Sequence, residues 1–141
     1  MVWLLDTNIL SELRRPRPFA RVVEFVAACP LDKLSISVVT LAEIRFGIAS
    51  VGDSGQRAVL EDWLEQKVRP MFAGRILPIT EDIMLKWRLM VEEGRKVGHT
   101  FSQPDLMIAA TAIHHGLTVV TRDRTHFEKA HVSLINPWDA P

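Results

Sequence analysis

One cysteine, Cys29, stands alone in a chain of 141 residues. No internal disulfide can form and no Cys-rich zinc site can be built, which suits a reducing cytosol. Net charge is lacking too, because 17 Lys and Arg balance 17 Asp and Glu. Holding nucleic acid by bulk charge is therefore excluded, whereas a nucleic-acid enzyme with basic groups at the rim of a local site is not. Long apolar runs are missing. Nothing approaches the roughly 18 apolar residues of a membrane span. The leading MVWLLDTN has no basic n-region, and its apolar run is too short for a signal peptide. Internal repeats, low-complexity tracts and linkers are also lacking. The expectation is one cytoplasmic domain over residues 1–141, with no membrane partner. Its 48% hydrophobic content is ample for a packed core.

What is present alternates between two kinds of segment. Short apolar runs at 2–5, 34–38, 75–79, 117–121 and 132–135 read as buried strands. Between them lie stretches with helical spacing: up to about Arg14, around Val22 to Val26, from Thr40 to Ala49, and across 55–72 and 80–97. A further helix opens at Pro104 and closes at Gly116, and a short turn covers Thr125 to Lys129. Two-residue hairpin signals are lacking. The pattern predicts an α/β domain with a mainly parallel sheet and helices on both faces.

Four acids stand where apolar runs stop: Asp6 in VWLLDTN, Glu43 in SVVTLAEI, Asp105 in SQPDLMIAA and Asp123 in LTVVTRD. On a parallel sheet they converge on one edge, the edge where open α/β sheets bind ligands. At about 6 Å and an effective dielectric of about 20, each like-charge pair costs about 3 kcal/mol. A gathering of that kind calls for a hard divalent cation. Each acid also has a local account. Asp6 suits a helix N-cap. Thr40-Leu41-Ala42-Glu43 matches a capping box. Asp105 suits a first helical turn, and Asp123 suits a turn. Against these accounts, Glu43 and Asp105 both stand in sequence that otherwise looks core-facing. Thr121 is two residues from Asp123, so an extended strand would turn both to one side.

The runs LLDTNILSE, SVVTLAEIRFGI, Asp105 to Ala112 and TVVTRDRTHF resemble the PIN-domain family. More narrowly they resemble the VapC/FitB-type toxins of bacterial toxin–antitoxin pairs, and FAGRILPI and the closing INPWDAP fit the FitB-like branch. The resemblance covers essentially the whole chain, with motifs in the family's order. It implies a Rossmann-like parallel sheet. It implies that Asp6, Glu43, Asp105 and Asp123 form an acidic metal site lined by Thr121 and Asn8. It further implies a Mg²⁺ cofactor, with Mn²⁺ also suitable, an RNA substrate and a cognate antitoxin. DNA would be reached only through that antitoxin, and the assembly would be a homodimer or a toxin–antitoxin hetero-oligomer.

The expected chemistry is hydrolysis of an RNA phosphodiester, with Asp6, Glu43 and Asp105 as main ligands, Asp123 holding the same or a second ion, and Thr121 positioning water. Arg14, Arg15 and Arg17, and Arg122 and Arg124 around Asp123, are candidate backbone contacts or solvated charges. The five histidines show no zinc-ligand spacing, and no Ser-His-Asp pattern is evident. Trp3, Trp63, Trp87 and Trp138 read as core or interface residues. The alternative reading is a subunit of an antitoxin-containing, DNA-bound regulatory complex with little nuclease activity. A phosphatase is disfavoured, because DTN lacks the second Asp of a DxD nucleophile and no Gly-rich phosphate loop follows.

Overall fold

Trp3–Leu5, with Leu4 and Leu5 fully buried, form the central strand β1, and the chain turns at once into helix α1, Thr7–Arg14. The computed structural model describes residues 2–139. Met1 and the last two residues of INPWDAP, Ala140 and Pro141, lie outside the described residues. After α1 come α2 (Ala20–Ala28), β2 (Leu34–Ser37) and α3 (Val38–Ala49). Then follow α4 (Ser54–Trp63), α5 (Arg69–Met71) and β3 (Ile76–Leu77). The chain ends with α6 (Glu81–Lys96), α7 (Gln103–His115), β4 (Thr118–Val120), α8 (Arg124–Glu128) and β5 (Leu134–Ile135). All strand pairs are parallel, in the order β3-β2-β1-β4-β5. The expected α/β fold with a Rossmann-like parallel sheet is what the chain adopts.

Strand alternation divides the interior into two cores. Leu5 and its partner Val120 face one way, with Ile9, Val22, Ile36, Leu41, Ile44 and Phe72. Leu4 and its partner Val119 face the other way, with Ile83, Met90, Leu106, Ala109 and Phe127. Helices α1 to α5 thus cover one face, and α6 to α8 the other. Because β1 has neighbours whose chain order runs in opposite directions, a crevice opens beyond its carboxyl end, between β1 and β4.

Three boundaries differ from expectation. Val38, expected to end the second strand, is helical, and α3 starts two residues before Thr40. The Ser37 hydroxyl accepts the Val39 N–H at 3.0 Å and starts α3 with no intervening loop. The capping box at Thr40 to Glu43 therefore does not exist, and Glu43 is free to point elsewhere. The helix expected across 55–72 is interrupted by a widened turn, Leu64–Val68. Pro70 explains it: its ring crowds the carbonyl of Gln66, and widening the turn relieves that clash. Strand β4 ends at Val120, so Thr121 and Asp123 lie beyond it and are not related by strand alternation.

Candidate functional site: an acidic cleft at the carboxyl edge of the sheet

Asp6 ends β1 and caps α1. Its Oδ1 accepts the Thr7 N–H at 2.8 Å, and its own N–H continues the strand ladder to the Val120 carbonyl at 2.9 Å. The capping account therefore holds for this residue, and it occupies only one of the two oxygens. Oδ2 accepts the Thr121 hydroxyl at 2.7 Å and the Asn8 amide at 3.3 Å. Asp6 is only 5% exposed. Burial is the main reason its carboxyl is raised above its ordinary range. The Thr121 and Thr7 hydrogen bonds pull it down, and the charges of Asp105 and Asp123 push it up again.

Thr121 and Asn8 join the two strand ends. The fully buried Thr121 hydroxyl accepts the Asp123 N–H at 3.0 Å and the Asn8 amide at 3.2 Å. The same Asn8 amide reaches Asp123 Oδ2 at 3.2 Å, and Asn8 Oδ1 accepts the Arg122 N–H at 3.2 Å. Thr121 thus directs its proton to Asp6. It ties Asp6 to the backbone of Asp123.

Asp105 lies in the first turn of α7, half-buried at 20% exposure. Pro104 beside it fits the first helical turn, where its missing N–H is no loss. Burial is again the largest influence and raises the Asp105 carboxyl, and the nearby His126 lowers it. His126 Nδ1 is 3.2 Å from Asp105 Oδ2. Sequence reasoning missed this histidine, although it lies inside the TVVTRDRTHF segment. Glu43 is exposed, contrary to its core-facing appearance: Leu41, Ile44 and Ile48 take the inner face of α3. Its side chain lines the same cleft, with Asp6, Asn8, Asp105 and Asp123. All four sequence-selected carboxylates thus border one cleft, and no lysine or arginine lines it.

Among the described residues that line the cleft no lysine or arginine offsets this charge, and His126 stands beside Asp105. The cleft's donors are oxygens only, the preference of Mg²⁺ and Mn²⁺ over zinc. Among the described residues, no three His, Cys, Asp or Glu side chains are grouped closely enough to hold an ion as they stand. The donor chemistry fits a hard divalent ion, and binding one would draw the carboxylates closer together.

The fold and the cleft identify the class. The PIN domain family matches residues 3–132, and the chain belongs to it. Within that family its kinship is with the FitB and VapC toxins. It is 41% identical to Toxin FitB of Neisseria gonorrhoeae, over 96% of this chain and 97% of that protein. It is 37% identical to VapC ribonuclease Y4jK of Sinorhizobium fredii, over 96% of this chain and 97% of that protein. Among solved structures, FitAcB from Neisseria gonorrhoeae superposes with a TM-score of 0.92 at 40% identity, covering 99% of this chain and 100% of that one. A structure of FitAB bound to an IR36 DNA fragment also gives a TM-score of 0.92, at 38% identity, covering 99% of this chain and 98% of that one.

Proposed function

We propose that this protein is the toxin of a type II toxin–antitoxin pair and acts as a Mg²⁺-dependent endoribonuclease. The observation that carries the reading is the acidic cleft itself. Four carboxylates border it, Asp6 is almost wholly buried, and no lysine or arginine offsets them. Burying an unpaired carboxylate is costly, and a fold keeps such an arrangement where a divalent ion is to be held. Similarity to a protein named as a ribonuclease points to RNA as the substrate.

In this reading Asp6, Glu43 and Asp105 are the main ligands, and Asp123 holds the same ion or a second one. A bound ion would polarise a phosphoryl oxygen and make a water more acidic. Thr121 and Asn8 fix Asp6 and Asp123 relative to each other. Water attacks phosphorus in line, the P–O3′ bond breaks, and the products carry a 3′-hydroxyl and a 5′-phosphate. The carboxylates beside the attacking water take up its proton, and the departing O3′ takes one from solvent to become the 3′-hydroxyl. Incubation of the purified protein with RNA and Mg²⁺ tests this, with Asp6→Asn and Asp105→Asn alongside. Cleavage should need the metal and fall at least a hundredfold in both variants; equal cleavage by all three proteins overturns the assignment.

A second role is compatible with the first. Similarity to a chain solved as FitAB on a DNA fragment supports assembly with an antitoxin that carries the pair to DNA. The zero net charge makes DNA binding by this chain alone unfavourable. An operator shift that requires the partner, with no nuclease activity under any divalent ion, would make this role primary.

A further inference from the structure

Beside the acidic cleft lies a second hollow of different chemistry. It has a volume of about 470 Å³ and is lined by Glu12, Arg15, Arg17, Phe19, Arg122 and Trp138. Three guanidinium groups and two aromatic rings thus share it with one carboxylate. That carboxylate is already engaged. Glu12 is 6% exposed, accepts the Phe19 N–H at 3.0 Å and pairs with Arg15 at 3.4 Å. It therefore anchors the 15–19 loop against α1. Arg17 forms no ion pair among the described residues.

The opposite wall is equally well built. Asn136 Oδ1 accepts the Trp138 N–H at 2.9 Å, and Arg21 donates to the Trp138 carbonyl at 3.2 Å. Asn136 also donates to the Arg122 carbonyl at 3.4 Å. These bonds hold the Trp138 ring under the Arg122 guanidinium, 5.3 Å from its centroid. Arg122 is also the link to the cleft. Its N–H is bonded to Asn8, and its chain neighbours are Thr121 and Asp123. Arg14, which the sequence groups with Arg15 and Arg17, turns away and covers Trp63 at 5.8 Å.

We infer that this hollow seats the single-stranded RNA segment flanking the scissile phosphate. Arg15, Arg17 and Arg122 hold its phosphates, and a base stacks on the Arg122–Trp138 pair with Phe19 at the rim. The inference rests on the ribonuclease reading above. A polyanion approaching four carboxylates needs compensating cations close by, and a chain of zero net charge must supply them locally. Guanidinium planes and aromatic rings are the surfaces on which unpaired bases stack. Continuity with the cleft favours RNA over an antitoxin segment, since a strand being cut must leave the cleft along one of its walls.

The test compares wild type with Arg122→Ala, Arg122→Lys, Arg17→Glu and Trp138→Phe, with Arg95→Ala on α6 as the control. Trp138 packs against the first core, so phenylalanine replaces it and the fold is kept; Arg17 is exposed and removes that concern altogether. Steady-state cleavage of mixed-sequence single-stranded RNA gives KM and kcat, and the Mg²⁺-induced thermal shift reports the acidic cleft. KM should rise about tenfold for Arg122→Ala and Arg17→Glu, with kcat within about twofold. The salt slope of RNA binding should flatten by about 0.7 for each phosphate that is no longer neutralised. Arg122→Lys should recover part of the affinity lost in Arg122→Ala, Trp138→Phe should lose part of it, and Arg95→Ala should match wild type. Wild-type KM and salt slope in every variant would overturn the inference and leave the ribonuclease reading intact. Loss of antitoxin binding with KM unchanged would assign the hollow to the antitoxin and overturn it too. A lost thermal shift in Arg122→Ala would reduce Arg122 to a support for the cleft. If wild type cleaves no RNA, the ribonuclease reading itself falls.

Discussion

Asp6 carries opposing demands on one side chain. Its Oδ1 caps a helix, and its Oδ2 faces like charges across the cleft. Asparagine preserves the capping oxygen and removes the charge, but its Nδ2 cannot accept the Thr121 and Asn8 hydrogen bonds that Oδ2 takes. In EDTA, Asp6→Asn is therefore expected to gain on wild type as pH rises, by about 2–4 °C for each kcal/mol relieved. The sign follows from linkage. A carboxyl whose pKa is higher in the fold than in the unfolded chain stabilises fully below the unfolded value, near 3.8. That contribution is lost as pH rises through the raised folded value. The melting temperature of Asp6→Asn relative to wild type should thus rise from about pH 4 upward and then level off. Paired melting curves across pH check it, and a difference that stays flat with pH would refute it. With Mg²⁺ added wild type should gain on the variant, because an ion bound only by the folded wild type adds about 2.7 kcal/mol at a concentration 100 times its dissociation constant.

At the scale of elements, two junctions position the cleft. Ser37 ends β2 and starts α3 in a single residue, and this sets the angle at which Glu43 leaves the sheet. Ser37→Ala should cost about 1 kcal/mol through the lost cap, read as a lower urea midpoint with unchanged slope; an unchanged midpoint would deny the cap any weight. The second junction follows α6. A Cβ at Gly94 would stand 2.9 Å from the His99 carbonyl oxygen and 2.9 Å from Phe101 Cε2. Alanine normally favours a helix over glycine by about 1 kcal/mol. Here the backbone at His99 would have to move, and that segment leads directly into α7 and Asp105. Gly94→Ala is expected to lose about 1–3 kcal/mol in urea unfolding and to weaken the Mg²⁺-induced thermal shift. A gain in stability would show that the 98–102 segment yields freely.

At the scale of the whole molecule, apolar side chains stay exposed on both helical layers, among them Phe46 and Val59 on the first. Helix α6 buries Ile83 and Met90, yet leaves Met84 40%, Leu85 58% and Leu89 53% exposed. An apolar stripe of this kind suits the symmetric dimer expected of the family. Leu85→Arg with Leu89→Arg should shift sedimentation from dimer toward monomer and leave the fold's circular dichroism unchanged. A wild-type protein that is monomeric at high concentration would remove this expectation.

Strand positions, helix order and all four acids were legible in the sequence, because apolar periodicity and the acids that end it are local patterns. Several features were not. The early start of α3 depends on one hydroxyl reaching one N–H. The widened turn before Pro70 depends on ring geometry. The pairing of His126 with Asp105 joins residues 21 apart in the chain. The sequence by itself determined which residues are acidic, which are apolar, and that strands alternate with helices. Only the tertiary structure decided that Asp6, Asn8 and Thr121 share one hydrogen-bond cluster, that Thr121 orients a carboxylate, and that Arg15 and Arg17 part from Arg14 to meet Arg122 and Trp138. The physical reason is that hydrogen bonds and stacking act over about 3–6 Å in space, and only folding brings residues more than a hundred positions apart within that reach.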